Sequence, residues 1–589
     1  MLKFKKIFLA SLVLSFLVFG NGISGEFVFD DVTVIQNRPD VKDARNFFNL
    51  FVSPYHQNMP KTGLYRPFTM TSYAINHYIN DSPAGFHIVN IIIHALNSFL
   101  VFCLVNYLFK NKFLSYAVFL LFLTHPIHTE AVTSIVGRAE LWAFFWSLIT
   151  IHFYIKKKTV LSLTSFLLAL LSKEIAITIL PVIFYIDWVL VKNKLFLSVR
   201  RMSFFALPLG VYMVLRYIVL GRYFVEDAVT TLITNPLKFA PLGERLITAI
   251  NVLYLYVEKL IWPVRLSADY SYNSIPVISN PLNPYFLFGI VFLSLLLFLL
   301  FYKKTNKTEL GLGSVFFLFP YLMISNLIKP VGTIMGERLM YLPSLGFILI
   351  ISCFLSKSVH TIGKKFAYAI LILIVTLYGA RTITRNKDWH DARTLFTATV
   401  DTVPDSLVAR AALAAVHIKA DEWKEAREQL DIARNIHENN SRIQNLLGIV
   451  ADHDGNYRLA EERYKKSLEL NPDSINTHIN LAELYIKEGR FEEAGRSLKK
   501  VIEFYPVDEY VIRYAYIQIT LRDPVGAIDT VSKYFSGKMN NVDVRALLGT
   551  AYFVKGDNVQ ALIHLKRAQE LGNKAIEIDQ MIEAINRNK

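Results

Sequence analysis

Cysteine and charged residues are both scarce in this sequence of 589 residues. Cys103 and Cys353 are its two cysteines and both lie within apolar runs, so neither a disulfide framework nor a cysteine-based metal site is indicated. Charged residues make up 19% of the chain, against about 25% in a typical globular protein, whereas hydrophobic residues reach 53%. Together with a mean hydropathy of +0.34, this composition excludes an ordinary soluble protein and favours a polytopic membrane protein.

Acidic residues are especially sparse in the first two thirds of the chain. Residues 1–381 contain 34 Lys or Arg and 17 Asp or Glu, whereas residues 382–589 contain 29 and 31. The net charge of +15 is therefore the sum of +17 in the apolar part and −2 in the tail. This distribution indicates basic loops beside membrane spans, not a phosphate-binding surface, and we expect no nucleic-acid partner.

Long apolar runs are abundant. A hydrocarbon core about 30 Å thick needs roughly 17–25 apolar residues per helix. Eleven runs, several of them short, are candidates: 7–23, 86–108, 113–125, 140–155, 159–172, 175–191, 202–220, 285–302, 311–328, 341–356 and 365–381. The first run could instead be a signal peptide, because three lysines precede it, although no clean small-residue cleavage site follows. We predict an all-α fold with about eleven spans.

Basic residues set the orientation of these spans. They gather in alternate loops: Lys3/Lys5/Lys6, Lys110/Lys112, Lys156–Lys158, Lys192/Lys194/Arg200/Arg201, Lys303/Lys304/Lys307 and Lys357/Lys364/Lys365. The positive-inside rule makes these loops cytoplasmic. The alternation requires residues 221–284 to stay outside, with 246–262 as a re-entrant or surface-lying helix. The C-terminal region then lies outside, in the periplasm of a bacterium or the lumen of a eukaryote.

The tail is a repeat array. Ala426, Ala460, Ala494, Ala527 and Ala561 are spaced by 34, 34, 33 and 34 residues, and Trp423, Tyr457 and Phe491 by 34. A 34-residue period with small residues at helix contacts is the tetratricopeptide signature. We predict a transmembrane domain over 1–384, a linker over 385–400 and about five repeats, an α-solenoid, over 401–589. Such arrays present a concave surface, so we expect this one to recognise a peptide or protein segment.

Paired carboxylates follow the first span. Under the predicted topology, all acidic residues of 1–381 except Asp187 and Glu309 face outside, and Asp30-Asp31 is their densest group. Two adjacent carboxylates at a membrane surface suit a general base, or a metal ligand with one supporting group. The alternative is a turn or a helix cap.

A second outer loop combines histidines, carboxylates and an arginine. His125, His128, Glu130, Arg138 and Glu140 fall within sixteen residues. His-x-x-His-x-Glu loosely suggests metal ligation, but it lacks the i, i+4 placement of a zinc-binding protease helix. We expect a polar loop that frames a site, with Arg138 available for a phosphate.

Further cations stand at the remaining outer turns. Lys173-Glu174 separates two apolar runs, Glu337-Arg338 lies in another outer loop, and Arg66 is in the first. Lysine as a point charge and arginine through bidentate bonds could each hold a lipid-linked phosphate. Snorkelling, or pairing with the adjacent glutamate, is the alternative.

The second apolar run carries a polar stripe of His87, Asn90, His94 and Asn97. At 100° per residue, these side chains lie on one side of a helix. Hydrogen bonding between helices is the predicted role, in preference to catalysis.

These motifs, in this order, resemble those of the transmembrane and tetratricopeptide-repeat-containing O-mannosyltransferases, GT-C fold enzymes, and their bacterial relatives. The resemblance covers essentially the whole chain. It is carried by Phe27-Val-Phe-Asp-Asp31, Tyr65-Arg-Pro-Phe-Thr69, Gly85-Phe-His-Ile-Val-Asn90, His94-Ala-Leu-Asn97, His125-Pro-Ile-His-Thr-Glu-Ala-Val132, Gly137-Arg-Ala-Glu-Leu141, Ser172-Lys-Glu174, Ser267-Ala-Asp-Tyr-Ser271 and Glu337-Arg-Leu-Met-Tyr-Leu-Pro343.

The resemblance implies transfer of a sugar, mannose or a similar hexose, from a polyprenyl-phosphate donor to Ser or Thr of an exported protein. It places the active site at Asp30 and Asp31. Our hypothesis is that one of them accepts the proton of the acceptor hydroxyl in an inverting displacement, and that Arg138, Lys173 and Arg338 bind the donor phosphate. Arg66, His125, His128, Glu130, Glu140, Glu174 and Glu337 line the site. No cofactor is required, although a divalent metal is possible.

Other classes stay open. A non-catalytic membrane anchor whose repeats organise envelope proteins explains the tail, but not the outer cluster of charged residues. A lipid-linked oligosaccharide ligase or polymerase also transfers glycans at the outer face. A transporter is disfavoured because the polar residues gather in outer loops and not at mid-membrane. In a bacterium, the predicted location is the cytoplasmic membrane, with membrane lipids around the spans.

Overall fold

A computed structural model describes residues 2–42, 47–56, 60–224, 230–537 and 540–587. Helices and turns account for all secondary structure in these described ranges, which contain no β-strand. The predicted all-α fold is therefore confirmed. The chain divides into two compact units, residues 1–413 and 414–589.

The first unit is a bundle of apolar helices joined by short turns. Its α-helices are α1 Leu2–Phe19, α2 Pro39–Lys42, α3 Phe47–Phe51, α4 Pro67–Ile79, α5 Pro83–Phe109, α6 Lys112–Thr124, α7 Thr129–Val132, α8 Arg138–Ile155, α9 Thr159–Ser172, α10 Ile179–Tyr185, α11 Leu195–Ser203, α12 Ala206–Leu220, α13 Leu242–Ile261, α14 Pro284–Phe301, α15 Glu309–Ile324, α16 Pro343–Ile362, α17 Lys364–Asp388 and α18 Ala392–Thr402.

Every apolar run predicted as a span coincides with helical structure. Six helical segments of the described chain are long and apolar enough to cross a membrane: Phe4–Gly22, Pro83–Phe109, Leu195–Phe224, Pro284–Phe301, Pro343–Ile362 and Lys364–Asp388. The bent pair Pro126–Val132 and Ile135–Ile155 would make a seventh, and α6, α9 and α15 are shorter apolar helices. The count of eleven spans, like the surface-lying position of α13, stays a prediction.

Two turns of the first unit, one after α6 and one after α9, bend or interrupt the helical runs. After α6, a 3-10 turn Pro126–His128, α7 and a second 3-10 turn Ile135–Gly137 lead into α8, with a bend of 96°. A Cβ on Gly137 would lie 2.3 Å from the carbonyl oxygen of Ala131, so the tight turn requires glycine. The run 175–191 is broken into a 3-10 turn Glu174–Thr178, α10 and a π-helical turn Ile186–Leu190.

Close helix packing fixes the frame behind these turns. α15 and α16 meet at Gly313 and Gly346, where a Cβ on Gly346 would lie 2.3 Å from the carbonyl oxygen of Gly313. The turn between α5 and α6 is set by Lys110, which has a φ of 52°, and by the Asn111 side chain, which accepts the N–H of Leu114 at 3.1 Å. Such close packing of helices holds the turns that connect them in defined positions.

Helix pairs make up the second unit and the segment that leads into it. They are α19 Leu407–Lys419 and α20 Trp423–Ile436, α21 Ser441–His453 and α22 Tyr457–Leu470, α23 Ile475–Lys487 and α24 Phe491–Phe504, α25 Asp508–Thr520 and α26 Pro524–Phe535, α27 Val542–Lys555 and α28 Asn558–Glu570, followed by α29 Ile576–Arg587. The alanines of the 34-residue period are buried at the helix contacts, as their size predicts.

The predicted linker is largely helical. α17 continues to Asp388, and α18, which covers 392–402, begins with a capping box in which the Asp391 side chain accepts the N–H of Thr394. The two compact units divide after Leu413, beyond the boundary predicted at residue 401. The 34-residue period of the array does not reach this segment, so the period alone does not predict its helices.

Candidate functional site

A charged cavity of about 320 Å³ lies where four segments of the first unit meet. The first loop, the start of α8, the turn after α9 and the segment before α16 all contribute to its wall. Its polar and charged lining residues are Asp30, Tyr55, His56, Arg66, Glu140, Lys173, Glu174, Thr333 and Arg338. Six of the twelve predicted site residues are therefore brought together: Asp30, Arg66, Glu140, Lys173, Glu174 and Arg338.

Asp30 and Arg338 form the most accessible ion pair in the cavity. Arg338 Nη1 lies 3.3 Å from Asp30 Oδ2 and 3.5 Å from Glu130 Oε1, and the Arg338 backbone N–H donates to Glu130 Oε2 at 2.8 Å. The Asp30 side chain is 38% exposed, whereas that of Glu130 is 4% exposed. The buried Glu130 thus holds Arg338 in place, and Asp30 is the more exposed carboxylate, which a substrate can reach.

Two further ion pairs close the cavity on its other side. Arg66 donates to both carboxylate oxygens of Glu174, at 3.0 and 2.6 Å, and Lys173 pairs with the buried Glu140. Burial alone would raise the pKa of Glu174, but Arg66 and then Lys173 outweigh it and hold the pKa at about 2. The alternative, in which Lys173 pairs with the adjacent Glu174, is not what the structure shows, because each of the two pairs with a partner distant in sequence.

Local packing presents Asp30 to the cavity. Phe29 has a φ of 53°, which reverses the chain between two anchored aromatic rings. Phe27 packs edge-on against Phe86 with ring centroids 5.4 Å apart, and Phe29 packs against Phe396 at 5.7 Å. This aromatic-aspartate motif therefore fixes the backbone directly before Asp30.

Asp31 does not line the cavity, so its predicted catalytic role is corrected. Its carboxylate is fully buried and accepts the backbone N–H groups of Val136 at 2.8 Å, Val28 at 3.3 Å and Ile135 at 3.4 Å. Burial raises its pKa to about 7, although these hydrogen bonds oppose the shift. Asp31 instead ties the first loop to the turn before α8.

Arg138 is likewise absent from the cavity, which corrects its predicted role as a phosphate ligand. Its fully buried guanidinium donates to Asn90 Oδ1 and Asn76 Oδ1 at 2.8 Å, and to the carbonyl oxygens of Phe86 at 2.9 Å and Ser72 at 3.2 Å. With these acceptors and an aromatic ring on its face, Arg138 joins α4, α5 and α8.

The two loop histidines are buried and do not line the cavity. His125 Nε2 lies 3.0 Å from the carbonyl oxygen of Leu260. His128 lies 2.8 Å from the carbonyl oxygen of Phe122 and 2.8 Å from Ser344 Oγ. No group of three or more His, Cys, Asp or Glu that could hold a metal ion occurs among the described residues. The prediction that these histidines line the site is therefore wrong, because hydrogen bonds in the core use their nitrogens.

Glu337 also points away from the cavity. It is fully buried and accepts the N–H of Ser267 and the hydroxyl of Tyr270, both at 2.6 Å, while Arg385 Nη2 lies 3.8 Å away. Its neighbour Arg338 faces the cavity, so adjacent residues of the Glu337-Arg338 motif have different surroundings. Glu337 holds the segment 267–270 against this turn.

The polar stripe of α5 makes the predicted hydrogen bonds between helices. Asn90 accepts from Arg138, His94 lies 2.8 Å from the Tyr341 hydroxyl, and Asn97 donates to the carbonyl oxygen of Leu141 at 2.9 Å. His87 is buried without a hydrogen-bond partner among the described residues. The prediction is confirmed for three of the four side chains.

Tyr55 and His56 line the cavity and were missed from sequence. His56 is half-buried and lines the cavity together with Asp30 and Arg66, and burial lowers its pKa to about 4, so the imidazole is neutral at pH 7. The Arg66 guanidinium stacks 4.9 Å from the Tyr55 ring centroid. Both residues belong to the predicted first outer loop, which made them candidates, but no motif or spacing in the sequence marked them as site residues.

A larger, mainly apolar cavity of about 750 Å³ adjoins the charged one. The two cavities share six lining residues: His56, Leu64, Glu174, Met323, Val331 and Gly332. Apolar side chains from α15 and from the segment after it, among them Phe319, Leu322 and Ile328, form much of the wall, and Arg216 is the lining residue from α12. The charged cavity and the apolar cavity are thus adjacent and share part of their lining.

The helices and this site define an integral, polytopic helical membrane protein that carries tetratricopeptide repeats. Residues 384–449 and 453–513 match the tetratricopeptide repeat, and residues 228–297 match DUF1736 of the protein O-mannosyl-transferase TMTC family. The chain thus carries the DUF1736 domain of that family together with tetratricopeptide repeats, as the resemblance predicted.

Curated relatives match over most of this chain. Mouse protein O-mannosyl-transferase TMTC3 is 26% identical over 612 residues, covering 95% of this chain and 62% of the relative. The Caenorhabditis elegans protein O-mannosyl-transferase F38B6.6 is 30% identical over 415 residues, covering 66% of this chain and 57% of the relative. The chain therefore spans about three fifths of the length of these relatives. The solved structure of the TPR protein YrrB covers 32% of this chain and 97% of its own, at 15% identity and a TM-score of 0.29.

Proposed function

We propose that the chain is a membrane glycosyltransferase that moves mannose, or a similar hexose, from a polyprenyl-phosphate donor to Ser or Thr of an exported protein. The names of its relatives, protein O-mannosyl-transferases, support sugar transfer to a protein hydroxyl. The donor class is supported by the chemistry of the two adjoining cavities.

The adjacency of the charged and apolar cavities, which share six lining residues, is the observation that carries this proposal. A polyprenyl-phosphate sugar is an amphiphile, with a polar hexosyl phosphate at one end and a long hydrocarbon chain at the other. Volumes of about 320 and 750 Å³ fall in the range of small-ligand sites, about 300–1,000 Å³. The hexosyl phosphate fits the chamber with Asp30 and Arg338, and the first prenyl units fit the apolar one.

Asp30 is the general base in this proposal. Its carboxylate accepts the proton of the acceptor hydroxyl while that oxygen forms a bond to the anomeric carbon of the sugar. The bond between the anomeric carbon and the phosphate oxygen breaks, and polyprenyl phosphate leaves with the electron pair. The proton remains on Asp30, and the single displacement inverts the anomeric configuration.

Arg338 is the cation we assign to the leaving phosphate. It is 29% exposed, borders Asp30 and is held in place by Glu130, so its remaining N–H donors can meet the charge that develops on the phosphate. Lys173 lines the same cavity, but its ammonium pairs with Glu140, and we assign it a secondary role. Asp31 and Arg138 are positioning residues that hold the loops around Asp30.

The proposed location follows from the basic loops. We place the charged cavity and the repeat array on the periplasmic or luminal side, in the cytoplasmic membrane if the cell is bacterial. The array is proposed to bind the acceptor or a partner protein, because stacked helix pairs offer an extended concave surface.

Reconstituted full-length protein tests the proposal directly. Vesicles that contain polyprenyl phosphate with one radiolabelled mannose, incubated with exported Ser/Thr-rich peptides, should yield labelled peptide, and Asp30→Asn should abolish the label. Consumption only of lipid diphosphates that carry glycan chains would instead support a ligase. Stable capture of envelope proteins by the array, without any glycan change when the gene is deleted, would support a non-catalytic anchor.

A further inference from the structure

A third cavity, separate from the charged and apolar cavities of the candidate site, lies between membrane helices of the first unit. It has a volume of about 410 Å³ and is formed by α6, the end of α13, α16 and α17. It shares no lining residue with either of the other two cavities. Its lining is almost wholly apolar: Leu121, Leu260, Ile261, Trp262, Pro263, Val264, Phe347, Ile348, Ile351, Ile374 and Leu377.

Two of the three polar residues that line this groove, Tyr378 and Arg381, lie toward one end of α17, and the third, His125, directly follows α6. Ile374 and Leu377 are followed by Tyr378 and Arg381, the latter one further turn along the helix. The Tyr378 hydroxyl donates to the carbonyl oxygens of Leu260 and Ile261, at 3.1 and 3.2 Å. The groove therefore has an apolar part along the helices and a cationic end.

Among the residues that the structure describes, no carboxylate forms an ion pair with Arg381. Its guanidinium donates to the carbonyl oxygens of Pro263 at 3.2 Å and Val264 at 2.9 Å, and to Thr384 Oγ1 at 3.2 Å, all of them neutral acceptors. The nearby Glu337 and Asp388 pair with Arg385. A guanidinium has five N–H donors, so two remain for an anionic group at the mouth of the groove.

The groove also opens toward the surface that membrane helices present to lipid. Trp262 is 69% exposed and Leu377 is 58% exposed, and both stand at its rim. α16 and α17 are two of the helices long and apolar enough to cross a membrane. Tryptophan is enriched where a bilayer meets water, and arginine there extends its cation toward lipid headgroups.

We propose that this groove binds an anionic phospholipid, with one acyl chain between α16 and α17 and the phosphate at Arg381. The apolar lining suits the acyl chain of the lipid. Arg381, which forms no ion pair among the described residues, suits the negative charge of the headgroup. The lipid would fill the space between α17 and the end of α13, and so brace the helix that leads into α18.

Photocrosslinking of the full-length protein in nanodiscs tests this assignment. Diazirine-labelled phosphatidylglycerol should label the 347–351 and 374–381 segments about fivefold more than labelled phosphatidylcholine does, since one cation favours an anionic lipid by about that factor. Arg381→Gln should remove this preference, and Arg381→Lys should retain most of it. The control Lys365→Gln, which removes an exposed cation at the other end of α17, should leave the preference unchanged.

A second variant tests the acyl-chain part without touching the cation. Ile351→Trp should fill the groove and lower labelling by both lipids, while the chromatographic profile and thermal unfolding of the protein stay as in the parent. An unchanged lipid preference in Arg381→Gln would overturn the proposal. So would displacement of the label by unlabelled polyprenyl phosphate but not by phosphatidylglycerol, because the occupant would then be the donor-class lipid.

Discussion

Two regions of the first unit draw on the same sequence motifs but differ in their access to solvent. One is the charged cavity, and the other is a buried polar layer formed by Asp31, Arg138 and Glu337. Asp30 and Arg338 face the cavity, whereas Asp31 and Glu337, their immediate neighbours, are fully buried. Adjacent residues in helical turns point about 100° apart, so the Asp30-Asp31 and Glu337-Arg338 motifs each supply one group to the cavity and one to the buried layer.

The two regions also differ in how their charges are satisfied. In the cavity, charges pair with one another, as Arg66 does with Glu174 and Arg338 with Asp30. In the buried layer, Asp31 and Arg138 are satisfied mainly by backbone groups and amides. Buried groups with complete hydrogen bonding fix loop geometry, while ion pairs at a solvent-accessible cavity can exchange partners with a substrate.

The largest effect should come from separating the two aspartates. We expect Asp30→Asn to lower kcat by about 10²–10⁴-fold, because the amide cannot accept the proton of the hydroxyl. Asp31→Asn should keep kcat within about threefold but lower the stability by about 1–3 kcal/mol, because a donor replaces one acceptor oxygen. Sugar transfer and thermal unfolding of both purified variants test this contrast. Equal losses of kcat would contradict the separation.

A second test removes the cation beside Asp30. Arg338→Gln should lower kcat by about 10²–10³-fold, the effect typical of losing one group that stabilises developing negative charge. Arg338→Lys should recover part of this loss, since the charge remains but the bidentate geometry does not. Single-turnover measurements with the labelled donor separate the chemical step from binding. A change only in KM would assign Arg338 to binding alone.

Much of the fold could be predicted from the sequence, because apolar runs and a 34-residue period are strong and local signals. Each apolar run became a helix, and the repeating alanines became helix contacts. The break of 175–191 into three helical segments was not predicted, since hydropathy carries no information on helix continuity.

The candidate site was only partly predictable, because burial depends on which loops meet. Lys173 pairs with Glu140 and Arg66 with Glu174, so residues distant in sequence select which charges share the cavity. The predicted topology puts His125 and Arg138 in outer loops, as it does Lys173. Hydrogen bonds in the protein core nevertheless keep both side chains out of the cavity. Loop composition therefore identified the neighbourhood of the site but not its members.

The buried layer can be tested through Arg138. Arg138→Lys should lower stability by about 2 kcal/mol, because a lysine cannot reach the acceptors that the planar guanidinium bridges. The rate per folded molecule should remain within about twofold, since this side chain does not line the cavity. Thermal unfolding and active-fraction titration provide the two readouts. If the variant is fully folded but its rate of sugar transfer is lower, Arg138 takes part in binding the donor phosphate, and its assignment to the buried layer alone is wrong.

The smallest expected effect concerns the pH dependence of stability. The pKa of Glu174 lies at about 2 in the folded protein against a usual value of 4.5, so its contribution is fully present well above pH 4.5 and is lost as the pH falls toward 2. At pH 4 the loss should be about 1 kcal/mol. Glu174→Gln should be less stable at pH 7, since Arg66 loses its partner, and should lose less on acidification to pH 4. If the parent and the variant show the same decrease in unfolding temperature between pH 7 and pH 4, the Arg66–Glu174 pair does not stabilise this side of the cavity. The ion pairs would then differ from the buried layer both in access and in what they contribute to the fold.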